Sequence, residues 1–142
     1  MTFVKKAATA VAVIALAACG TMSNMMGMGT TVSVSLSGSE EVPSVSTSAR
    51  GSGSFTIDND GAVKGSVSTT GMQGTAAHIH QGAKGQNGGV IVPLTKSGDS
   101  YTAPATAKLS EAQMSAFKAG NLYVNVHSAA HKGGEIRGQL QP

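Results

Sequence analysis

The chain has 142 residues, of which 12% are charged and 4% aromatic, and its formal net charge is +3. Two of the positive charges, Lys5 and Lys6, lie in a segment that we expect to be removed, and +3 without these two leaves +1. With aromatic residues this scarce and no basic stripe, the composition excludes nucleic-acid binding. Cys19 is the only cysteine, so no intrachain disulfide can form.

Residues 1–18 have the layout of an export signal. A basic pair precedes an apolar run from Ala7 to Ala18, which is too short to span a bilayer. The run ends in Leu-Ala-Ala-Cys19, which resembles the lipobox of bacterial lipoproteins. We therefore predict a lipoprotein signal peptide over residues 1–18 and a lipidated, palmitate-bearing Cys19. An ordinary secretory signal that happens to end in cysteine is the alternative.

Lipidation of Cys19 would anchor the chain to a membrane without spanning it. Gly20 follows, whereas an aspartate there tends to retain Gram-negative lipoproteins in the inner membrane. The sequence thus resembles a protein of the outer membrane facing the periplasm, if the host is Gram-negative. Residues 19–30 are rich in Met and Gly without strand or helical period, which predicts a flexible tether. Their thioethers are also soft ligands that suit Cu(I).

Residues 31–142 are predicted to form one all-β domain. Thr31–Leu36 alternates polar and apolar residues, and similar short runs recur with turn signals such as Asp58–Gly61 between them. This pattern is typical of an antiparallel β-sandwich or barrel, Ig-like or Cu/Zn superoxide dismutase-like. The further predicted strands are 53–57, 62–68, 75–80, 90–94, 122–127 and 135–140.

One short crossover helix is predicted near 111–118. Ser110 can cap its first turn, with Gln113 three residues on as the partner in a capping box. Gly120 supplies a stop signal at the other end. Nothing in this segment indicates chemistry, so we interpret the helix as architectural.

The four histidines are the residues that could carry chemistry. His78 and His80 are two apart on a predicted strand, so their side chains point to the same face. His127 lies on the polar face of strand 122–127, and His131 follows in a Gly-rich turn. Imidazole is a common ligand for copper and zinc, so all four are candidate metal ligands. Candidate outer-shell partners are Tyr123, Asn125, Glu135 and Arg137.

The alternative interpretation is that these histidines bond only to neighbours or water. If they do bind metal, no thiolate ligand is at hand, so a closed structural zinc site of the finger type is not expected. Copper fits an all-imidazole site in an oxidising compartment and lies high in the affinity series, and zinc is the alternative. Glu135 and Arg137 share a strand face and could instead form an ion pair.

Three ordered motifs resemble the CHRD domain family, named for chordin, in its bacterial lipoprotein form. They lie in Leu36–Pro43, Ala77–Leu94 and Leu122–Leu140, and the resemblance runs from about Val32 to Leu140. It implies an all-β fold in an exported protein; in chordin, such domains belong to a secreted protein that binds growth factors. The His-x-His strand also resembles the copper-ligand strand of Cu/Zn superoxide dismutase. The zinc loop with its aspartate and the disulfide of that enzyme have no counterpart here, which puts dismutase activity in doubt.

Three functions remain as hypotheses. The first is a lipid-anchored extracytoplasmic protein that holds or delivers copper. The second is a metal-free envelope module whose loops, Gly82–Gly89 and Lys132–Gly134, bind another protein. The third is a small copper oxidoreductase, which needs the same ligands and differs only in a coordination position open to substrate. A non-enzymatic role is favoured.

Overall fold

A computed structural model describes residues 28–142. Cys19, the signal segment and most of the predicted tether lie outside the described residues. The described chain forms nine strands, one α-helix and a 3-10 turn at Gly38–Glu40. The strands and the helix are β1 Thr30–Ser37, β2 Arg50–Ile57, β3 Val63–Thr70, β4 Gly74–Gln81, β5 Val90–Pro93, β6 Thr95–Ser97, β7 Ser100–Thr102, α1 Glu111–Lys118, β8 Leu122–Ser128 and β9 Ile136–Leu140.

All nine strands belong to one sheet in the order β5-β4-β8-β9-β1-β2-β3-β7-β6, and each neighbouring pair is antiparallel. The sheet curls into a nearly closed barrel. The Leu94 backbone N–H, between β5 and β6, donates to the Ala77 carbonyl of β4 at 3.0 Å. This bond extends the pairing of β4 and β5 by one residue. Since only Leu94 separates β5 from β6, the chain itself joins the two end strands of the sheet. The prediction of an all-β antiparallel fold is therefore confirmed, with the barrel form of the two alternatives.

The alternation along the strands places the core inside this barrel. In β1, Val32, Val34 and Leu36 are 5% exposed or less, while the residues between them face solvent. Apolar residues from the other long strands complete the interior, including Phe55, Ile57, Val67, Ile79, Val124, Val126, Ile136 and Leu140. Burial of this apolar surface is the main favourable term in folding. None of the helices described between residues 28 and 142 is long and apolar enough to cross a bilayer.

Helix α1 begins and ends where the local signals predict. The Ser110 side chain accepts a hydrogen bond from the Gln113 backbone N–H at 3.2 Å, and the Gln113 side chain accepts from the Ser110 N–H at 2.8 Å. Gly120 follows the helix with φ +74°, a conformation that costs a residue without a side chain little. The turn at Asp58–Gly61 is present as well, closed by the Gly61 N–H donating to the Asp58 carbonyl at 2.9 Å.

The sequence pattern missed two short strands, β6 and β7. β6 is exposed at all three positions, and β7 buries only Tyr101. Strands are predicted from the alternation of apolar and polar residues, and a strand with hardly any apolar side chain to bury lacks this alternation. The positions of the two strands are set instead by hydrogen bonding of β7 to β3 and of β6 to β7.

Candidate metal centre

Three of the four histidines, His78 and His80 of β4 and His127 of β8, lie on the outer face of these strands, beside β9. In the register of these strands, His78 is paired with Asn125, which is paired in turn with Arg137. His80 is paired with Tyr123 on the same face. Ala77 and Ile79 point the other way into the core and are 1% exposed. The period of a β-strand therefore places both β4 histidines and the polar residues of β8 on one surface.

That surface is covered by protein, although it is not the core face. Tyr123 is 2% exposed and Asn125 is 3% exposed. The segment Gly82–Gly89 folds back over them, and its Gly88 N–H donates to the Tyr123 hydroxyl at 3.0 Å. His78 and His127 are only half-buried at its margin. The site is thus buried at Tyr123 and Asn125 and partly open to solvent at His78 and His127. Strand alternation alone predicts a surface that faces solvent throughout.

His78 and His127 form the closest pair. The Nδ1 of His78 lies 3.0 Å from the Nε2 of His127. The other ring nitrogen of His127 is 2.8 Å from the Lys132 carbonyl, which can only accept, so Nδ1 carries the proton and Nε2 keeps its lone pair. With metal–nitrogen bonds of about 2.05 Å, a nitrogen separation of 3.0 Å corresponds to an N–metal–N angle of about 94°. That angle is suitable for two ligands of one ion.

His80 completes the cluster from the buried side. One nitrogen from each of His78, His80 and His127 lies within 4.8 Å of the others. The Nδ1 of His80 is 2.9 Å from the Gly88 carbonyl, and its Nε2 is 2.9 Å from Oδ1 of Asn125. The contact with the Gly88 carbonyl fixes the orientation of the ring, and the other nitrogen, Nε2, faces the Asn125 amide.

The surroundings of His78 and His80 favour the neutral form of both rings. Burial, and then the charges that His127 and His80 would carry, lower the pKa of His78 from its ordinary value. Burial also lowers the pKa of His80, against the opposing effect of its hydrogen bonds to Gly88 and Asn125. Metal ions bind the neutral imidazole, so a lowered pKa leaves these lone pairs available at neutral pH.

A stack of three side chains supports His80. Its ring lies parallel to that of Tyr123, with centroids 4.7 Å apart and 2° between the planes. The Arg137 guanidinium carbon lies 3.4 Å from the centroid of the Tyr123 ring. Arg137 is 1% exposed and donates to the carbonyls of Ala83 and Gln86 at 3.0 and 2.8 Å. The arginine thus binds the covering segment to the sheet.

Two of the predicted site residues lie elsewhere. His131 does not belong to the three-histidine group; its backbone N–H donates to the Ser128 hydroxyl at 3.2 Å. Glu135 accepts a hydrogen bond from Thr47 Oγ1 at 2.7 Å. Among the described residues the ion pairs are Lys64–Asp58 and Lys84–Glu40, so the alternative of a Glu135–Arg137 pair is wrong.

Glu41 is the residue that the sequence interpretation missed. It is 6% exposed, and burial raises its pKa to about 7, against the lowering effects of the Arg137 charge and the Asn125 amide. Its Oε1 makes no hydrogen bond within the described part of the chain. The sequence offers two adjacent glutamates, and nothing in their spacing tells which of the two is buried.

Gly134 makes room for these groups, which gives a testable contrast with Gly133. A Cβ at Gly134 would overlap Oε1 of Glu41 and lie 2.6 Å from Nδ2 of Asn125, and its φ is +127°. We expect Gly134→Ala to lower the free energy of unfolding by about 2 kcal/mol or more. Gly133→Ala, where a Cβ meets nothing within 4 Å, should change it by less than about 0.5 kcal/mol. Urea denaturation measures both, and equal values would contradict this packing.

Comparison with protein-family models matches residues 32–140 to the CHRD domain. Comparison with curated proteins and with solved structures returned no match. The matched range includes β4 and β8, which carry His78, His80 and His127, and it also includes Glu41.

Proposed function

The chain belongs to the CHRD domain family, and on that premise we propose that it is a lipid-anchored extracytoplasmic protein that binds one transition-metal ion. The ligands are His78, His80 and His127, and the ion is copper, with zinc as the alternative. The role is to hold or deliver the ion, with redox chemistry at an open coordination position as a lesser alternative.

The convergence of three imidazole nitrogens within 4.8 Å carries this proposal. Two of the rings face a backbone carbonyl with the nitrogen remote from the cluster, at Gly88 and Lys132. Metal-ligating histidines usually make this outer bond, because it fixes the tautomer and the direction of the lone pair. Surface histidines that bond only to neighbours or water are not expected to bring three rings together in this way.

The choice of metal follows from the ligands. Three neutral imidazoles without a thiolate suit Cu(II) or Zn(II), and copper binds more tightly than zinc to a given set of nitrogen ligands. Since the three histidines leave part of the coordination sphere to solvent, the ion would keep a position for water or an acceptor molecule.

Membrane anchoring is supported by the lipobox-like sequence that ends at Cys19. An acyl chain on this sulfur would hold the domain at the envelope surface. The compartment is then oxidising, and copper reaching it would encounter the site without competition from cytosolic thiols. The sequence therefore supports the membrane as a binding partner of this protein, through the lipid on Cys19.

Calorimetric titration of the full chain with Cu(II), and separately with Zn(II), tests the proposal. The chain should carry Cys19→Ser so that no unlipidated thiol competes, and Cu(II) avoids the Cu(I)-binding thioethers of residues 19–30. We expect one ion per chain. Failure of both metals to bind would refute the proposal and favour the metal-free binding module.

A further inference from the structure

His80 makes two polar contacts that a neutral imidazole cannot satisfy at the same time. Both of its ring nitrogens face oxygens, Gly88 O at Nδ1 and Asn125 Oδ1 at Nε2, each at 2.9 Å. A neutral imidazole has one N–H and cannot donate to both. Nδ1 donates to the Gly88 carbonyl, so the Nε2 lone pair points at the amide oxygen. Only a proton or a metal cation at Nε2 makes this second contact favourable.

The orientation of the Asn125 amide depends on what lies on its other side. Its Nδ2 is directed to the Gly133 carbonyl at 3.4 Å and lies beside the Glu41 carboxyl, both of them next to Gly134. An ionised carboxylate can only accept, so it favours the amide with Nδ2 towards Glu41 and Oδ1 towards His80. A protonated carboxyl can donate to Oδ1 and so favours the opposite orientation.

We propose that Glu41 is a positioning residue of this site: it sets the orientation of the Asn125 amide, and that orientation decides whether the His80 Nε2 lone pair is open to a cation. This inference rests on the proposed function. With Glu41 ionised, the amide oxygen faces the position of the ion and stabilises positive charge. With Glu41 protonated, the amide N–H donates to Nε2 and occupies the lone pair.

The surroundings of Glu41 place this change near neutral pH. Among the described residues, the charged group that acts on its carboxyl is Arg137 of β9, and the polar group is Asn125 of β8. Burial outweighs both and raises the pKa of Glu41 to about 7. Burial also lowers the pKa of His78 and His80. The part of the pH dependence of metal binding between pH 6.5 and 8 that a Glu41→Gln substitution removes therefore reports on Glu41.

The experiment compares Cu(II) affinities of the full chain at pH 6.5 and 8.0, with the competing chelator corrected for pH. If only the ionised carboxylate permits binding, the wild-type Kd should be about fourfold higher at pH 6.5 than at pH 8.0, from a pKa of about 7. Glu41→Gln presents an amide N–H to Asn125, as the protonated acid does. It should bind Cu(II) more weakly than wild type at pH 8.0, and its Kd should change less between the two pH values than that of wild type.

Glu40→Gln is the matched control. It removes the same charge from the neighbouring position, where the side chain pairs with Lys84 at 3.4 Å instead of facing Asn125. This variant should keep the wild-type pH profile. A profile for Glu41→Gln equal to that of wild type, or one for Glu40→Gln equal to that of Glu41→Gln, would overturn the inference.

A measurement without metal separates this inference from the proposed function. In the metal-free chain, the 15N shift of His80 Nε2 should change between pH 6.5 and 8 in wild type and Glu40→Gln, and should change less in Glu41→Gln. Absence of copper binding together with this pattern would refute the metal site and leave the positioning role standing. A His80 shift that behaves alike in all three proteins would overturn the positioning role, whether or not copper binds.

Discussion

We expect Cu(II) to stabilise the wild-type protein against heat, and we expect His78→Ala to abolish this stabilisation. A ligand that binds only the folded state at 100 times its Kd adds about 2.7 kcal/mol to the free energy of unfolding. For a domain of this size, that gain should raise Tm by about 10 °C. Loss of a ligand should weaken binding by more than the roughly 10- to 100-fold that loss of an outer-shell partner causes, so little of the rise would remain. Differential scanning calorimetry with and without Cu(II) measures the effect.

His131→Ala is the matched control for this experiment. His131 is half-buried like His78 but lies outside the group of three nitrogens. Its replacement should leave the rise in Tm intact, because the remaining histidines still provide the complete ligand set. Equal losses in the two variants would indicate adventitious binding to any surface imidazole and would contradict the assigned site.

Arg137→Ala is expected to have the largest effect on stability and to weaken metal binding with all three histidines in place. The guanidinium donates to the Ala83 and Gln86 carbonyls and covers the face of Tyr123. Hydrogen bonds that involve a charged group contribute about 1.5–3 kcal/mol each, so we expect a loss of at least about 3 kcal/mol. The released segment carries the Gly88 carbonyl that orients His80, which should raise the Kd for Cu(II) about 10- to 100-fold.

Arg50→Ala provides the comparison, since it removes the other arginine of the chain. Arg50 is exposed and bonds to carbonyls of its own neighbourhood, Thr47 and Ala49, at 3.2 and 2.7 Å. Its loss should change the free energy of unfolding by less than about 1 kcal/mol and leave metal affinity unchanged. Chemical denaturation of both variants measures the free energy of unfolding, and Cu(II) titration measures the metal affinity. A stable Arg137→Ala protein with wild-type affinity would show that the arginine does not hold the covering segment.

The features that could be predicted from the sequence are those fixed by neighbours in the chain. Ser110 and Gln113 lie three residues apart and form their capping box without help from the rest of the fold. His78 and His80 share a face because the side-chain period of a strand is two. Alternation in β1 likewise identifies the residues that face the core.

The contacts that complete the site could not be predicted, because they join distant parts of the chain. Arg137 reaches the segment at Ala83, 54 residues away, and a strand pattern contains no information about what covers its outer face. For the same reason Tyr123 and Asn125 look solvent-exposed in the sequence and are buried in the structure. Glu41 and Glu40 are chemically identical in the sequence, and only the fold distinguishes them: Glu41 is buried beside Gly134, whereas Glu40 pairs with Lys84.

The claim that one ion is held by three imidazoles is tested most directly by the metal content of the protein taken from its own envelope without added metal. Elemental analysis should find one copper, or one zinc, for each chain in wild type and in His131→Ala, and should find none in His78→Ala. A wild-type preparation without either metal, or a His78→Ala protein that keeps its full complement, would contradict the account.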